Sequence, residues 1–319
     1  MAEQLPLFST PTAETLSHPE ARASNAAAHP TALVASVSLR TAIVAWVEHL
    51  KEDAQLNTIK AFSGDLKLFA EFAGPGKSLN QLTTRDLNQW LQSQRASGRS
   101  PKTYARRVTS LKAFFRWLGQ TGILANDPAA PVIQQTVLSP LPLFLSEAEV
   151  QHALAAAEAL WKTADKPDIR PYLLFTLLLK TGIKKSECLS LELNHVDPSN
   201  PDEPVLWIRY TETRQRYKER KLKLDPTWLA VYEAYRAEYK PELKIFPYSP
   251  RRLEYLLEDI TKAASLDKHL SFEMCRWTCA VRDAKAGLDE DKIRQKLGLS
   301  KIQWREIGMK LRRLAAPGL

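Results

Sequence analysis

Apolar side chains recur every three or four positions over residues 38–127, which is the spacing that places them on one face of a helix. The clearest stripe runs from Tyr104 to Leu118, and a serine and a proline that favour a helix start precede it. A Gly-Pro-Gly turn at residues 74–76 separates two of the stripes. The pattern predicts four helices in a first domain, residues 37–135. They begin at or near Ser38, Thr58, Thr83 or Thr84, and Ser100.

A second domain, residues 136–319, is predicted after a proline-rich segment, residues 128–145, that we interpret as an extended linker. Ser146 and Glu149 have the spacing of a capping box, so a helix should begin there. Residues 205–211 and 218–224 alternate in part and predict a β-hairpin. Residues 1–36 lack apolar periodicity and predict a disordered tail. Further helices are expected from Tyr172, Pro226, Pro250, Ser271, Asp289 and Ser300.

The chain of 319 residues has a formal net charge of +9 and a pI near 9.4. This basic excess favours a polyanionic partner such as nucleic acid, although a solvated basic surface has the same composition. Cys188, Cys275 and Cys279 show neither a disulfide framework nor zinc-ligand spacing. We therefore expect a reducing, cytoplasmic setting, no metal site and no cofactor. No apolar run reaches transmembrane length, so we expect no membrane association.

The fourth predicted helix carries a line of basic residues on the face opposite its apolar stripe. Such a line can follow a phosphate backbone, and a solvated helix face is the competing interpretation. The line consists of Lys102, Arg106, Thr109, Lys112 and Arg116, with Arg107 as a neighbouring candidate.

Several phrases occur in the order and spacing of a known family. The first domain holds TIKAFSGDLKLFAEFAG and LTTRDLNQWLQSQRASGRSPKTYARRVTSLKAFFRWLGQTGILANDPAAPV, and the second holds LLLKTGIKKSECLSLELNHVD, LSFEMCRWTCAV and IRQKLGLSKIQW. Over roughly residues 38–310 the chain resembles the tyrosine recombinase, or phage integrase, family. The resemblance implies a mainly α fold. A helical, SAM-like core-binding domain and a helical catalytic-type domain with a small β-hairpin or sheet would together clamp duplex DNA.

The positions that the resemblance assigns to catalysis depart from the family's pattern. Lys184 lies where the first catalytic arginine is expected after a Thr-Gly turn, and Glu273 lies where a His-x-x-Arg box begins. Gln215 falls at the catalytic lysine in the hairpin, with Lys218 as the alternative if the register slips. Arg276 matches the second arginine. The full set of positions is Lys184, Gln215, Glu273, Arg276, Leu299 and Gly308.

Strand cleavage needs a hydroxyl that attacks phosphorus and donors that stabilise charge on the phosphoryl oxygens. The resemblance places the nucleophilic tyrosine at or near Gly308, yet the sequence after residue 273 contains neither tyrosine nor histidine. Lysine at position 184 keeps a charge but lacks the bidentate fork of arginine. We therefore expect no catalytic residue. Arg276 is interpreted either as a phosphate contact or as a structural residue that pairs with Glu187 or Glu273.

The hairpin is rich in lysine and arginine. In the family that this chain resembles, it touches the DNA minor groove, where arginines read shape more than bases. A solvated edge hairpin is the alternative. The candidate DNA contacts are Lys102, Arg106, Arg107, Lys112, Arg116, Lys184, Lys185, Arg214, Arg216, Lys218, Arg220 and Arg276.

The first functional hypothesis is a non-catalytic DNA-binding protein on a tyrosine recombinase scaffold. It would be associated with the nucleoid and would organise DNA, regulate a gene or mobile element, or assist recombination. The alternative is an active site-specific recombinase with a divergent site, and a third hypothesis is an interaction subunit that no longer binds DNA. Residues 310–314 resemble a terminal helix that relatives pass to a neighbouring protomer, which suggests a homo-oligomer.

Overall fold

A computed structural model describes residues 34–54, 56–134 and 140–316. The chain divides into two compact units, with the boundary after Ser139. Most of the predicted disordered tail lies outside the described residues. Its last described residues, from Val34, contact the first unit, where the amide of Asn80 donates to the carbonyl of Ala35.

The first unit contains four α-helices among its described residues, as the apolar stripes predict. Of the two cap residues proposed for the third helix, Thr83 is the cap, and Ser38 and Ser100 at other predicted starts likewise accept hydrogen bonds from amides in the first turn of the helix that follows. Trp46, Phe69, Trp90 and Phe115 are buried in the shared core. The helices are α1 (Leu39–Asp53), α2 (Leu56–Ala73), α3 (Thr84–Ala96) and α4 (Pro101–Gln120).

The segment after α4 differs from the extended linker that its prolines predict. Ala129 and Val132 are buried in the first unit's core, and the Thr84 hydroxyl donates to the carbonyl of Pro128 at 2.8 Å. The side chain of Gln134 donates to the Thr109 hydroxyl of α4 at 2.9 Å. Apolar side chains between the prolines therefore hold this segment against α4 up to residue 134. Residues 135–139 lie outside the described part of the chain.

The second unit contains eight described α-helices, and the predicted capping box of Ser146 and Glu149 is confirmed at its start. The helix starts predicted at Pro226, Pro250, Ser271, Asp289 and Ser300 are also confirmed. The helices are α5 (Glu147–Lys162), α6 (Arg170–Thr181), α7 (Lys185–Leu189), α8 (Pro226–Tyr239), α9 (Pro250–Ala263), α10 (Phe272–Lys285), α11 (Glu290–Lys296) and α12 (Lys301–Ala315).

A three-stranded antiparallel sheet contains the predicted hairpin and one strand that the sequence pattern did not reveal. The strands are β1 (Val196–Asp197), β2 (Val205–Ile208) and β3 (Arg220–Lys223), in the order β1-β2-β3. Leu206 pairs with Leu222, and both face the core because alternate residues point to opposite faces. A 3-10 helix (Thr213–Lys218) lies between β2 and β3.

Helix α12 packs on its own chain. Leu311 and Leu314 are buried with Ile293 and Leu297 of the α11 region, while Ile302 and Met309 are exposed. In this structure the buried face of α12 packs on its own chain. The exchange of this helix between protomers remains a prediction. None of the described helices combines the length and the hydropathy that crossing a membrane requires.

Candidate nucleic-acid interface

The Thr-Gly turn of the sequence ends α6 and introduces α7. Gly182 has a φ of 59°, a left-handed conformation that favours glycine. A Cβ at Gly182 would lie 2.9 Å from Leu297 Cδ2 and 3.2 Å from Cys279 Sγ, so the turn also needs a residue without a side chain. Lys184 follows two residues later, as the cap residue before α7, and is half-buried.

A buried ion pair lies beneath Lys184. The Arg220 guanidinium donates to both carboxylate oxygens of Glu187, at 3.0 and 2.9 Å, and both side chains are less than 9% exposed. The Lys184 amide donates to Glu187 at 2.8 Å, and the Tyr210 hydroxyl donates to the same carboxylate. Burial opposes ionisation of Glu187, but Arg220 and these donors hold the pKa of Glu187 at about 2.

Arg220 was a predicted DNA contact, and the structure uses it differently. Besides its bidentate bond to Glu187, its Nε donates to the carbonyl of Lys296 at 2.6 Å, at the C-terminal end of α11. The next turn approaches closely, because a Cβ at Gly298 would lie 2.7 Å from Arg220 Nη1. A side chain this buried and this fully paired joins β3 to α7 and α11, so we remove Arg220 from the candidate contacts.

Arg276 also binds backbone carbonyls. Its guanidinium donates to the carbonyl of Gly182 in the Thr-Gly turn and to that of Leu297 just beyond α11. The expected pairing with Glu187 or Glu273 is wrong as a direct bond, because Arg220 takes the Glu187 oxygens and Glu273 is exposed. Burial lowers the pKa of Arg276 to about 10, so the guanidinium remains charged at neutral pH.

The surroundings of Lys184 are strongly cationic. Burial lowers the pKa of the Lys184 ammonium, the charges of Arg276, Lys218 and Arg220 lower it further, and Glu187 opposes them. The charges of Lys184, Lys218 and Arg276, here called the cationic cluster, therefore act on one site, whose single carboxylate, Glu187, is already neutralised by Arg220. An arrangement of this kind is suited to an anion with several oxygens, such as a phosphate.

Two other positions that the resemblance assigns to catalysis have local structural roles. Gln215 lies in the 3-10 helix and donates to Glu212. Lys218, the alternative for the catalytic lysine position, lies close enough to Lys184 for its charge to lower the pKa of that ammonium. Leu299 is buried in the core that α10, α11 and α12 share. A histidine side chain at position 299 would have to leave that core in order to contact a ligand.

Gly308, at the position expected for the nucleophile, lies on α12 beneath the indole of Trp304. A Cβ built at Gly308 would lie 2.9 Å from Trp304 Nε1 and 3.0 Å from Cε2. The Trp304 Nε1 donates to Glu290 at 3.3 Å, and Arg312 donates to both oxygens of Glu290 at 2.9 and 2.7 Å. The space next to the helix backbone at position 308 is therefore occupied by a side chain with its own partners.

In the first unit, the adjacent arginines of the predicted basic line have different environments. Arg107 is 6% exposed, its Nε lies 3.5 Å from Asp65 Oδ1, and its Nη1 donates to Gln94. Arg106 is 40% exposed, lies 3.0 Å from Asp65 Oδ1 and donates to the carbonyl of Ala61 at 3.2 Å. Burial speaks against a DNA contact by Arg107, and we remove it from the candidate contacts.

The remaining residues of the line stay on the surface of α4. Lys102 and Arg116 are exposed, and Arg106 and Lys112 are half-buried. Lys112 Nζ lies 3.5 Å from the carbonyl of Ala130, because the segment after α4 lies beside it. The line is therefore a narrow basic strip, partly bordered by the chain's own backbone.

The second unit adds candidates around the hairpin turn. Arg214 and Arg216 are exposed on the 3-10 helix, and Lys218 is half-buried at its end. Lys185 forms an ion pair with Glu254 at 2.5 Å. Lys218 thus belongs both to the turn and to the cationic cluster, and the strand that follows the turn carries Arg220 into the core.

Sequence reasoning missed the roles of Tyr210 and Glu187 in this site. Both partners of the Glu187 carboxylate come from the hairpin, 23 and 33 positions away in the sequence. A glutamate three residues after Lys184 does give a local signal, because that spacing is the one at which a side chain returns to cap a helix start. No comparable local signal in the sequence indicates that Arg220, among the many cations of the hairpin, is the one that pairs with Glu187.

Two family descriptions match the chain. "Phage integrase, N-terminal SAM-like domain" matches residues 43–122, and "Phage integrase family" matches residues 144–307, which is half of the chain. The chain belongs to the phage integrase family. This agrees with the mainly α architecture, in which a four-helix unit precedes a helical unit with a small sheet.

Among curated integrase-family relatives, the chain is similar to tyrosine recombinase XerC of Mycobacterium tuberculosis (strain ATCC 25177 / H37Ra). The two are 37% identical over 143 residues, which is 44% of this chain and 48% of that protein. XerC of Mycobacterium sp. (strain KMS) is 34% identical over 146 residues, which is 45% of this chain and 49% of that protein. The chain thus spans about half the length of the curated relatives it matches.

Solved integrase-family structures share the fold. A lambda integrase dimer bound to a COC' core site has a TM-score of 0.67 at 15% identity, covering 88% of this chain and 78% of that one. The XerH site-specific recombinase in a post-cleavage complex with palindromic difH substrate has a TM-score of 0.67 at 17% identity, covering 86% and 82%. At these identities the likeness concerns the fold.

Proposed function

We propose that this chain is a non-catalytic DNA-binding protein of the phage integrase family. The observation that carries the proposal is a contrast within one site: the cationic cluster remains, while Gly308 lies under the Trp304 indole. The first feature supports phosphate binding, and the second leaves the expected nucleophile position without a hydroxyl. Relatives whose structures were solved with DNA make duplex DNA the natural partner to test.

Phosphate binding is supported by the charge balance of the site. Lys184 is half-buried among cations, and its pKa is lowered by burial and by those neighbours. A phosphate at Lys184 would relieve this mutual repulsion, so binding should be accompanied by proton uptake at alkaline pH. Within the second unit, the exposed residues Arg214 and Arg216 would extend the contact along the backbone, and in the first unit Lys102 and Arg116 offer exposed charges of their own.

Loss of cleavage is supported by two further features. Arg276 already donates to two carbonyls, and Leu299 is buried where the resemblance places a histidine. Losing one donor of transition-state charge costs about two to three decades in rate. Losing the nucleophile removes the covalent route altogether.

The proposal is tested by DNA binding and salt dependence. The unaltered chain should bind duplex DNA with an affinity that falls steeply as salt rises. Changing Lys102 and Arg116 together to glutamine should weaken binding and flatten the salt slope by roughly two counterions. Lys51→Gln, at an exposed ion pair on α1, is the matched control and should change neither. An absence of salt-dependent binding would contradict the proposal and favour an interaction subunit.

A second candidate function is an active recombinase with a different nucleophile, and Tyr210 is the observation that favours it. Its hydroxyl donates to Glu187 beside Arg220, close to the cationic cluster. Burial, then the bond to Glu187, raises the pKa of Tyr210, while the low pKa of Glu187 makes that carboxylate a weak base. Both effects oppose attack by this phenol, which is why the non-catalytic function is preferred.

A suicide DNA substrate separates the two functions. We expect no covalent protein–DNA adduct from the unaltered chain or from Tyr210→Phe. An adduct that disappears in Tyr210→Phe, while duplex binding is retained, would establish the recombinase instead.

Assembly on DNA is part of the proposal. A lambda integrase neighbour is a dimer on its core site, and exposed Ile302 and Met309 give α12 an apolar outer face. Light scattering with and without DNA should show a larger mass per chain on DNA, and Met309→Glu should reduce it. A mass of one chain in both conditions would contradict assembly.

A further inference from the structure

The tip of the hairpin carries an aromatic side chain that the proposed phosphate contacts do not use. Tyr217 is 67% exposed on the 3-10 helix between β2 and β3. In the described part of the chain its hydroxyl has no hydrogen-bond partner, and its ring contacts only the Lys218 ammonium, 5.2 Å from the ring centroid. Its neighbour Tyr210 is different, since that hydroxyl is fixed by Glu187.

The turn that carries Tyr217 is mainly cationic, although Glu212 and Glu219 lie at its two ends. Arg214 and Arg216 are exposed on the same 3-10 helix, and Lys218 follows Tyr217 directly. Lys218 Nζ lies 6.0 Å from the ring centroid of Tyr210, which shares the Glu187 carboxylate with the Lys184 amide, so the turn adjoins the cationic cluster. An aromatic ring next to phosphate-binding cations is the arrangement by which proteins stack single bases while holding the backbone.

We propose that Tyr217 stacks against an unstacked base of DNA, so that the protein prefers duplexes with a bulged or extruded nucleotide over fully paired ones. The inference rests on the proposed DNA binding. A phosphate at the cationic cluster would bring its own nucleotide, or the next one, to the hairpin turn. Because a paired base is shielded by its neighbours, only a base that has left the stack can meet the ring face to face.

The preference should come from the ring and not from charge. Stacking of one base on an aromatic side chain changes affinity on the order of ten- to a hundredfold when the ring is truncated to alanine. The salt slope counts neutralised phosphates, and tyrosine neutralises none. Loss of the ring should therefore remove the preference for bulged DNA and leave the salt slope unchanged.

The experiment compares a short duplex that carries one bulged 2-aminopurine with the same duplex fully paired. We expect the unaltered chain to bind the bulged duplex about tenfold more tightly and to quench the 2-aminopurine emission. Tyr217→Phe should retain both effects, and Tyr217→Ala should lose both. Tyr255→Ala removes a partly exposed ring from α9 of the same unit and should retain the preference. Circular dichroism verifies that each variant is folded.

The outcomes separate this inference from the function on which it rests. If neither duplex binds, DNA binding itself fails. If both duplexes bind with equal affinity, or if Tyr217→Ala weakens both by the same factor, DNA binding stands and the stacking inference is overturned. A Tyr217→Ala variant that keeps the full preference also overturns it, and would assign the exposed ring to a protein partner.

Discussion

Each of the two units buries one carboxylate among arginines. The two clusters differ in how completely the arginine donors are paired. In the second unit, Glu187 receives a bidentate bond from Arg220, whose remaining donors reach the carbonyls of Lys218 and Lys296. In the first unit, Asp65 is shared between Arg106 and Arg107. The Arg107 Nε is buried and donates no hydrogen bond to any described residue.

The two clusters also connect different sets of helices and strands. The Arg220 guanidinium joins β3 both to Glu187 of α7 and to the carbonyl of Lys296 at the end of α11, so the pair fixes these three elements relative to one another. The Asp65 cluster joins α2 to α4, with Ser110 donating to Asp65 at 2.9 Å, and Arg107 extends it to Gln94 of α3. Arginines that look alike in sequence thus divide into buried structural residues, Arg107 and Arg220, and residues exposed at the surface, such as Arg116 and Arg216.

The largest expected effect that would test this comparison comes from Glu187→Gln. Removing one charge of a buried pair leaves Arg220 uncompensated, and we expect the free energy of unfolding to fall by about 3–5 kcal/mol. Urea unfolding of the second unit's transition measures it. A loss below about 1 kcal/mol would show that the buried pair contributes no more to the free energy of unfolding than a surface ion pair does.

Acid should reproduce part of that effect without a mutation. The pKa of Glu187 is about 2 in the folded chain against 4.5 ordinarily, so its contribution is complete above 4.5 and is lost as the pH falls towards 2. The contribution is about 3 kcal/mol. Unfolding experiments between pH 5 and 2 should show a shallower decline for Glu187→Gln than for the unaltered chain; parallel curves would contradict this.

Asp65→Asn is expected to cost less, about 2 kcal/mol, because an amide oxygen still accepts from Ser110 and Arg106 can turn towards water. The first unit's unfolding transition is the readout. An effect as large as that of Glu187→Gln would remove the distinction between the clusters.

The smallest effect is expected from Glu254→Gln, the matched control for Glu187→Gln. Its pair with Lys185 is 51% and 39% exposed, so solvent screening should limit the loss to under about 1 kcal/mol. The same urea titration measures it. A larger loss would mean that Lys185 is held for a structural reason.

Local signals made much of the fold predictable. The caps at Ser100 and Ser146 act within one turn, so sequence alone shows where α4 and α5 begin. Helix α7 and strand β1, five and two residues long, are too short for periodicity to reveal. The site was only partly predictable. Which arginine is buried depends on partners such as Asp65 and Glu187, and these lie in other helices, far from the arginine in sequence.

The Trp304 indole over Gly308 has a consequence for how the chain can change with time. A tyrosine introduced at position 308 would have to displace an indole bonded to Glu290, which Arg312 holds in turn. A single codon change there brings steric conflict before any chemistry, and Leu299 would need its own replacement. A tyrosine at position 308 therefore needs a rearrangement of Trp304 as well, so we expect that substitution alone to create no strand-cutting site.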